Sequence, residues 1–340
     1  MDELSQTEEV MAALDPKLRK RLVTADKAPS VEYAPTPSVG LNNALNGGMV
    51  YGRQILLWGS KSSAKSSLML ETIGMAQKRG KVCAWIDAEM SYDASWAERL
   101  GVDSEQLIYS TARTINDMVD VGVGLMDAGV DFIVVDSISS LLPAIYFNKD
   151  NEGLKELDQT KQIGAESRDM ANAVKMLNYA NNRKKQSLLV LISQARNNIN
   201  AMYTTQQPTG GMATKYYSST VIKLFSSESE AQAIKGKVPV GDKLIEEKIG
   251  RKVRWELQFS KTSPAMQGGE YDFYFVGDDV GVDTVSELVD VAENMGIVKR
   301  TGAWYNLYEN KYQGKSALVD AIKENKDLHI DIMEAINARN

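Results

Sequence analysis

Gly59-Ser60-Lys61-Ser62-Ser63-Ala64-Lys65-Ser66-Ser67 is nearly the P-loop pattern of a glycine, four residues, then Gly-Lys-Ser/Thr. It follows the apolar run Ile55-Leu56-Leu57-Trp58 and leads into a helical pattern, the strand–loop–helix setting that phosphate binding requires. Backbone N–H groups of such a loop, and the positive end of the helix it opens, converge on phosphate oxygens. Lys65 is placed to reach the β and γ phosphates of ATP, and the Ser66 hydroxyl to ligate Mg²⁺. Gly59 to Ser67 is therefore the candidate cofactor cradle. Ala64 stands where the pattern has its second glycine. With helical dihedrals there, alanine fits and favours the helix; with positive φ, the loop is strained and ATP binds poorly.

Two carboxylates and an amide extend this set toward phosphoanhydride hydrolysis. Phe132-Ile133-Val134-Val135-Asp136-Ser137 is apolar until Asp136, which at the carboxyl edge of a sheet would hold Mg²⁺ through water. Ile86-Asp87-Ala88-Glu89 closes the strand after the P-loop helix, and strand alternation turns Asp87 and Glu89 to the same side. Glu89 is the candidate to orient or deprotonate the water that attacks the γ-phosphate. Gln194, ending Leu189-Val190-Leu191-Ile192-Ser193, is a candidate γ-phosphate reporter at a fourth strand tip. Singly, each is a common strand-end residue; their order behind the loop gives them weight. His329 is the only histidine, which removes a Ser-His-Asp triad and a histidine-rich metal site. Cys83 is the only cysteine, so there is no intrachain disulfide, and a reducing cytoplasm fits.

These residues need a scaffold that aligns several strand tips along one edge. A chain of 340 residues can bury a sizeable core with small appendages. No apolar run approaches the roughly 18 to 20 residues of a membrane span, and Met1-Asp2-Glu3-Leu4-Ser5 is unlike a signal peptide. The stretch to about Val31 reads as a charged helix, and Pro29, Pro35 and Pro37 as a linker. Short strands then alternate with helices: Gln54–Trp58, Val82–Asp87, Phe132–Asp136, Leu188–Ser193, Thr220–Phe225 and Val253–Phe259, with helical patterns such as Ser66 to Lys78 and Arg168 to Ala180. That alternation predicts an α/β fold with a mostly parallel sheet covered on both faces. Beyond about Gly277 the texture shifts to acidic helices and a Gly302-Ala303-Trp304-Tyr305 hairpin. The expected divisions are an arm and linker over 1–35, an ATPase core over 36–276 and a small α/β lobe over 277–340.

The residues now resemble the bacterial RecA family and its phage-encoded relatives across most of the chain. The resemblance is carried by Gly52-Arg53-Gln54-Ile55, Ser62-Ser63-Ala64-Lys65-Ser66, Cys83-Ala84-Trp85-Ile86-Asp87-Ala88-Glu89, Ala97-Glu98-Arg99-Leu100-Gly101-Val102-Asp103 and Ile133-Val134-Val135-Asp136-Ser137. It continues through Ile192-Ser193-Gln194, Thr209-Gly210-Gly211 and Gly302-Ala303-Trp304-Tyr305. It implies a RecA-type P-loop NTPase core with an N-terminal helical oligomerisation arm and a small C-terminal lobe. It also implies ATP and Mg²⁺ as cofactors, single-stranded and homologous double-stranded DNA as partners, and a homo-oligomeric helical filament in a bacterial or phage-infected cytoplasm. Single-strand-binding and mediator proteins are further implied partners. Glu89 matches the family's catalytic glutamate and Gln194 the glutamine coupling γ-phosphate to DNA. Asp93 and Trp96 fall where an aspartate and a tyrosine contact adenine, and an indole stacks there at least as well. Lys261 matches a lysine that reaches the neighbour's ATP; Phe259 stands where the family has a second one, and Lys215 and Tyr216 lie near the same interface. Phage-type relatives also vary at the Ala64 position.

Two segments fall where the family has DNA-binding loops. The first runs from about Phe147 to Ala165, with Ile163 as a base wedge and Arg168 and Lys175 on the following helix. The second runs from about Ala195 to Gly211 as an irregular loop, offering Arg196, Asn198, Ile199, Gly210 and Gly211. Such contacts read the backbone and base faces, nearly blind to sequence. Two other functions share these motifs: a RecA-fold hexameric motor of the helicase type, and a filament regulator that binds nucleotide without turnover. A helicase usually carries an arginine finger and a primase-binding domain, neither of which is clear in the sequence.

Overall fold

The computed structural model describes residues 5–27, 30–147, 155, 164–182, 186–198, 205–226, 232–241, 243–277 and 279–339. The chain divides into two compact units, Met1–Glu32 and Tyr33–Asn340. In the first, Ser5 and Glu8 close a reciprocal capping box on α1 (Gln6–Ala13). The single helix expected to Val31 is interrupted: Leu14 is extended, and Asp15 with Pro16 caps a new start at α2 (Pro16–Arg19).

The second unit opens with β1 (Tyr33–Ala34), α3 (Val39–Ala44) and β2 (Met49–Val50), β1 and β2 pairing antiparallel. The core follows as β3 (Gln54–Gly59), α4 (Lys65–Gln77), β4 (Cys83–Asp87), α5 (Ala94–Arg99), β5 (Leu107–Thr111), α6 (Ile115–Ala128) and β6 (Phe132–Asp136). It continues with α7 (Ala165–Asn181), β7 (Leu188–Asn198), β8 (Thr205–Pro208), α8 (Gly211–Tyr217), β9 (Thr220–Phe225), β10 (Ala233–Val240), β11 (Lys243–Ser260), β12 (Gln267–Tyr274) and β13 (Gly281–Val282). The chain ends in α9 (Thr284–Asn294), β14 (Lys299–Thr301), β15 (Trp304–Leu307), β16 (Asn310–Gln313), α10 (Lys315–Glu324) and α11 (Lys326–Asn337).

The main sheet has the order β13-β12-β11-β9-β3-β7-β6-β4-β5. Neighbours from β9 to β5 are parallel, and β11, β12 and β13 join antiparallel. Helices cover both faces, so central strands are apolar throughout rather than alternating. Leu57, Trp85, Val134 and Ile192 pack with Leu68 and Ile73 of α4 on one face. Leu56, Ile86, Val135 and Leu191 pack with Met118 of α6 and Leu177 of α7 on the other. This is the α/β RecA-type architecture that the motifs implied. The parallel pairing ends at one edge, which brings the tips of β3, β4 and β6 beside Gln194 of β7, while β7 itself runs on to Asn198.

A third apolar cluster joins Leu288, Leu307, Leu318 and Ile332 of the C-terminal lobe, and it includes Val39 of α3. Gly302-Ala303 makes the tight turn between β14 and β15, as expected. Glu287 fastens this lobe to the core. Its buried carboxylate accepts from Ser38 Oγ–H at 2.7 Å, Val39 N–H at 2.8 Å and Gly40 N–H at 3.1 Å. Burial pushes the carboxyl up to about 7, against the pull of those three donors. Among the described residues, no helix is long and apolar enough to cross a membrane.

Candidate nucleotide-binding site

The loop between β3 and α4 wraps a cavity of about 220 Å³, lined by Lys61 to Ser67 together with Glu89, Asp136, Ile192 and Gln194. Gly59 is required by close approach: a Cβ there would lie 2.0 Å from the Leu224 carbonyl oxygen. Ala64 takes the left-handed conformation, φ 60° and ψ 25°, immediately before α4. The helical alternative for this residue is thus excluded, and the loop carries the strain that a glycine would relieve. Ser62 is left-handed as well, and Arg251 on β11 donates to its carbonyl at 2.7 Å.

Lys65 is buried, with Nζ donating to Ser60 O at 2.7 Å, Ser63 Oγ at 3.3 Å and Gly59 O at 3.4 Å. Burial lowers its pKa, while Asp136 and Glu89 act to raise it. Asp136 is also buried, and desolvation pushes its carboxyl up to about 6 against a hydrogen bond from Ser66. An ammonium, a hydroxyl and a carboxylate facing one small cavity at a helix N-terminus form a donor set that suits a magnesium–triphosphate.

Glu89 departs from the expected placement beside Asp87. The strand ends at Asp87, whose carboxylate turns inward to bind the following turn. Its oxygens accept from Glu89 N–H at 3.1 Å, Ser91 N–H at 3.3 Å, Tyr92 N–H at 3.0 Å and the Tyr109 hydroxyl at 3.2 Å. Asp87 therefore shapes the turn, and Glu89 is carried by it into the cavity. There Glu89 Oε1 accepts from Ser137 Oγ–H at 2.5 Å and from Gln194 Nε2–H at 2.7 Å. The sequence reading passed over Ser137, although it adjoins Asp136 in the motif.

Asp93 and Trp96 lie outside this cavity. Asp93 Oδ1 caps α5, accepting from Ser95 N–H at 2.9 Å and Trp96 N–H at 3.2 Å, and these bonds hold the carboxyl below its usual range. Trp96 is half-buried and donates from Nε1 to Ser67 Oγ at 3.3 Å, which ties the indole to the P-loop helix.

The segment after Gln194 is not the irregular loop that was expected. β7 continues to Asn198 and pairs antiparallel with β8, Ala195 opposite Pro208 and Arg196 opposite Gln207. A hairpin keeps backbone groups paired where a bare loop would leave them to water. Arg196 forms an ion pair with Glu166 at 3.3 Å. Gly210 and Gly211 have φ of 88° and 70° and open α8. Hydroxyls tie the hairpin base to Gln194: Gln194 N–H donates to Ser139 Oγ at 2.8 Å, Ser139 Oγ–H to Thr209 Oγ1 at 3.1 Å, and Thr209 N–H to Ser193 Oγ at 2.9 Å. Arg168 and Lys175 are exposed on α7. Ile163, Ile199, the side chain of Asn198 and most of the first DNA-loop candidate lie outside the described residues.

On the strands beyond β3, Lys261 is exposed just after β11, its N–H bonded to Ser219 O at 2.9 Å. Phe259 and Tyr216 are exposed, and Lys215 is half-buried.

The family model of the RecA N-terminal domain matches residues 15–278, and that of the RecA C-terminal domain matches residues 286–339. Protein RecA of Methylobacterium sp. (strain 4-46) is 33% identical over 320 residues, covering 93% of this chain and 82% of the relative. Protein RecA of Bacteroides thetaiotaomicron is 31% identical over 322 residues, covering 92% and 91%. That of Clostridioides difficile is 29% identical over 313 residues, covering 91% and 83%.

Proposed function

The chain belongs to the RecA family, and from that premise we propose that it polymerises on single-stranded DNA with ATP and drives homologous pairing and strand exchange. Membership carries the general function, that of an ATP-binding recombinase in DNA recombination and repair. The finer reading rests on one observation: Lys65, Asp136, Glu89 and Gln194, from four parts of the sequence, face a single cavity at the P-loop.

In this reading Gly59 to Ser67 cradle the triphosphate, Lys65 leaves its loop carbonyls for the β and γ phosphates, and Ser66 and Asp136 hold Mg²⁺. Bound Mg²⁺–ATP supplies the γ-phosphoryl group for transfer to water. Glu89 orients that water and accepts its proton, while Ser137 and Gln194 fix the carboxylate. Asp93 and Trp96 take the adenine. Gln194 is also the root of the β7–β8 hairpin, where Arg196, Asn198, Ile199, Gly210 and Gly211 are assigned to DNA with Ile163, Arg168 and Lys175. A rearrangement of the Glu89–Gln194 bond would therefore be felt at the hairpin. Lys261, Lys215 and Tyr216 serve the contact between copies, and residues 1–35 serve as an oligomerisation arm and linker. A helical head-to-tail contact propagates when nucleotide favours one interface geometry.

Micrographs of the purified chain with single-stranded DNA, with and without a nonhydrolysable ATP analogue, test this reading. Regular filaments are expected with the analogue and not without it, and Lys65→Ala should abolish them. Equal filaments in all three samples would remove the assignment.

A further inference from the structure

The loop between β3 and α4 holds two non-glycine residues in the left-handed region within three positions, Ser62 at φ 59° and Ala64 at φ 60°. Such residues are disfavoured there, so the turn relaxes unless its surroundings hold it. Part of that hold comes from within the loop. Ser63 Oγ–H donates to Ser60 O at 2.8 Å, and Lys65 Nζ donates to Ser60 O at 2.7 Å and to Gly59 O at 3.4 Å. The lysine bonds are given up when Lys65 turns to phosphate, which is when the loop most needs to keep its shape.

Arg251 supplies a bond of another kind. Its guanidinium donates to Ser62 O at 2.7 Å from 189 positions away in sequence, and Arg251 does not line the nucleotide cavity. Its backbone is fixed on both sides, because Arg251 pairs with Ala233 of β10 and with Phe273 of β12. Its Cζ lies 5.5 Å from the ring centroid of Phe275, which packs against the apolar cluster around α4. The neighbouring cations of β11 make surface ion pairs instead, Lys252 with Asp272 at 3.1 Å and Arg254 with Glu270 at 3.2 Å. Arg251 spends its donor on the loop carbonyl.

We propose that Arg251 is a positioning residue for ATP, an outer brace that keeps the loop in its phosphate-binding shape where Ala64 replaces a glycine. This rests on the reading that Gly59 to Ser67 cradle the triphosphate. A trans peptide points its N–H opposite to its carbonyl, so fixing Ser62 O on the Arg251 side fixes the Ser63 N–H on the other. Ser63 is fully buried in the wall of the cavity, and a backbone donor aimed before phosphate arrives loses nothing to reorganisation. Arg251 sets that aim from outside, so nucleotide does not displace it. Glycine adopts the left-handed conformation freely, and with glycine at position 64 the turn needs less from outside. The brace and the alanine are therefore coupled.

The test is a double-mutant cycle, read by titrating a fluorescent ATP analogue into the chain without DNA. Arg251→Met keeps an apolar stem beside Phe275 and removes the donor; it should raise the dissociation constant about fivefold. In a chain that already carries Ala64→Gly, the same change should raise it by less than about twofold. Arg251→Gln, too short to reach Ser62, is the second variant and should behave alike. Steady-state hydrolysis with single-stranded DNA should show a raised KM for ATP rather than a lowered kcat, since the brace acts on binding. Thermal unfolding without nucleotide establishes that each variant is folded. An equal loss with and without Ala64→Gly would overturn the proposal, because Arg251 would then act on the nucleotide independently of the turn. So would an unchanged dissociation constant for both folded Arg251 variants while Lys65→Ala abolishes binding, a result that leaves the cradle intact. If Lys65→Ala binds the analogue as well as the unaltered chain does, the cradle reading fails, and the brace with it.

Discussion

Gln194 donates through Nε2 to Glu89 Oε1 at 2.7 Å, joining the last β3-paired residue of β7 to the turn after β4 across 105 positions of sequence. The same oxygen accepts from Ser137, so a single carboxylate is fixed at once by the end of β6 and by β7. A group that must point at a water is held ready by its neighbours, and one of those neighbours begins the hairpin assigned to DNA.

Glu89→Gln preserves the shape of this corner but removes the proton acceptor. Hydrolysis should fall by about 100-fold or more, while binding of a fluorescent ATP analogue persists. Single-turnover phosphate release measures the first, and equilibrium titration the second. Normal turnover would rule Glu89 out as the base.

Ser139 accepts from the Gln194 backbone and donates to Thr209, linking the glutamine to the far foot of the hairpin. Ser139→Ala removes that link at a cost of about 1–2 kcal/mol in a partly buried network. The expected result is a several-fold loss in the stimulation of ATP hydrolysis by single-stranded DNA. Stimulation equal to that of the unaltered chain would show that the hydroxyls only pack the hairpin.

Ala64 in the left-handed region stores strain that the family's glycine would not. Ala64→Gly should raise stability by about 1 kcal/mol, since the relief of strain outweighs the extra freedom of the unfolded chain. Urea unfolding without nucleotide reads this directly. A lower midpoint would mean that φ at this position is not left-handed in solution.

Glu287 has a folded-state pKa of about 7, above its ordinary value of 4.5, so the folded chain holds its proton more tightly than the unfolded chain does. The associated stability is fully present below about pH 4.5 and is lost as pH rises through about 7. A shift of this size corresponds to on the order of 3 kcal/mol. Glu287→Gln, which cannot ionise, should make the fall in melting temperature between pH 4.5 and 7.5 shallower by that share. Glu71, raised by burial to about 7 as well, keeps part of the slope in both proteins. Identical profiles would show that the carboxylate is not desolvated.

The sequence made the strand–loop–helix order and the strand-tip residues readable because buried parallel strands must be apolar and their tips are where polarity returns. Thr220–Phe225 and Phe132–Asp136 have the limits expected of them. Other features depended on pairing that no local pattern reveals. β7 runs past Ser193 only because β8 returns beside it, and Val253–Phe259 is one part of an 18-residue strand that pairs with β10, β9 and β12. Alternation placed Asp87 and Glu89 together, but alternation ends with the strand, and the chain turns between them. The dihedrals of Ala64 were left open by composition and are fixed by the turn into α4. Lys223 had a local signal, a lone charge inside Val221-Ile222-Lys223-Leu224-Phe225, but its place over an aromatic ring depends on Trp58 from a neighbouring strand.

The clasp between Glu287 and the start of α3 bears on how the chain is made. Ser38 and Glu287 are 249 positions apart, so an early helix gains its closing acceptor only after most of the polypeptide has left the ribosome. A nascent chain halted before that point would hold three donors facing a gap. Final consolidation of this molecule must therefore wait for the late stages of its synthesis, and trimming the tail would reach back to loosen the beginning.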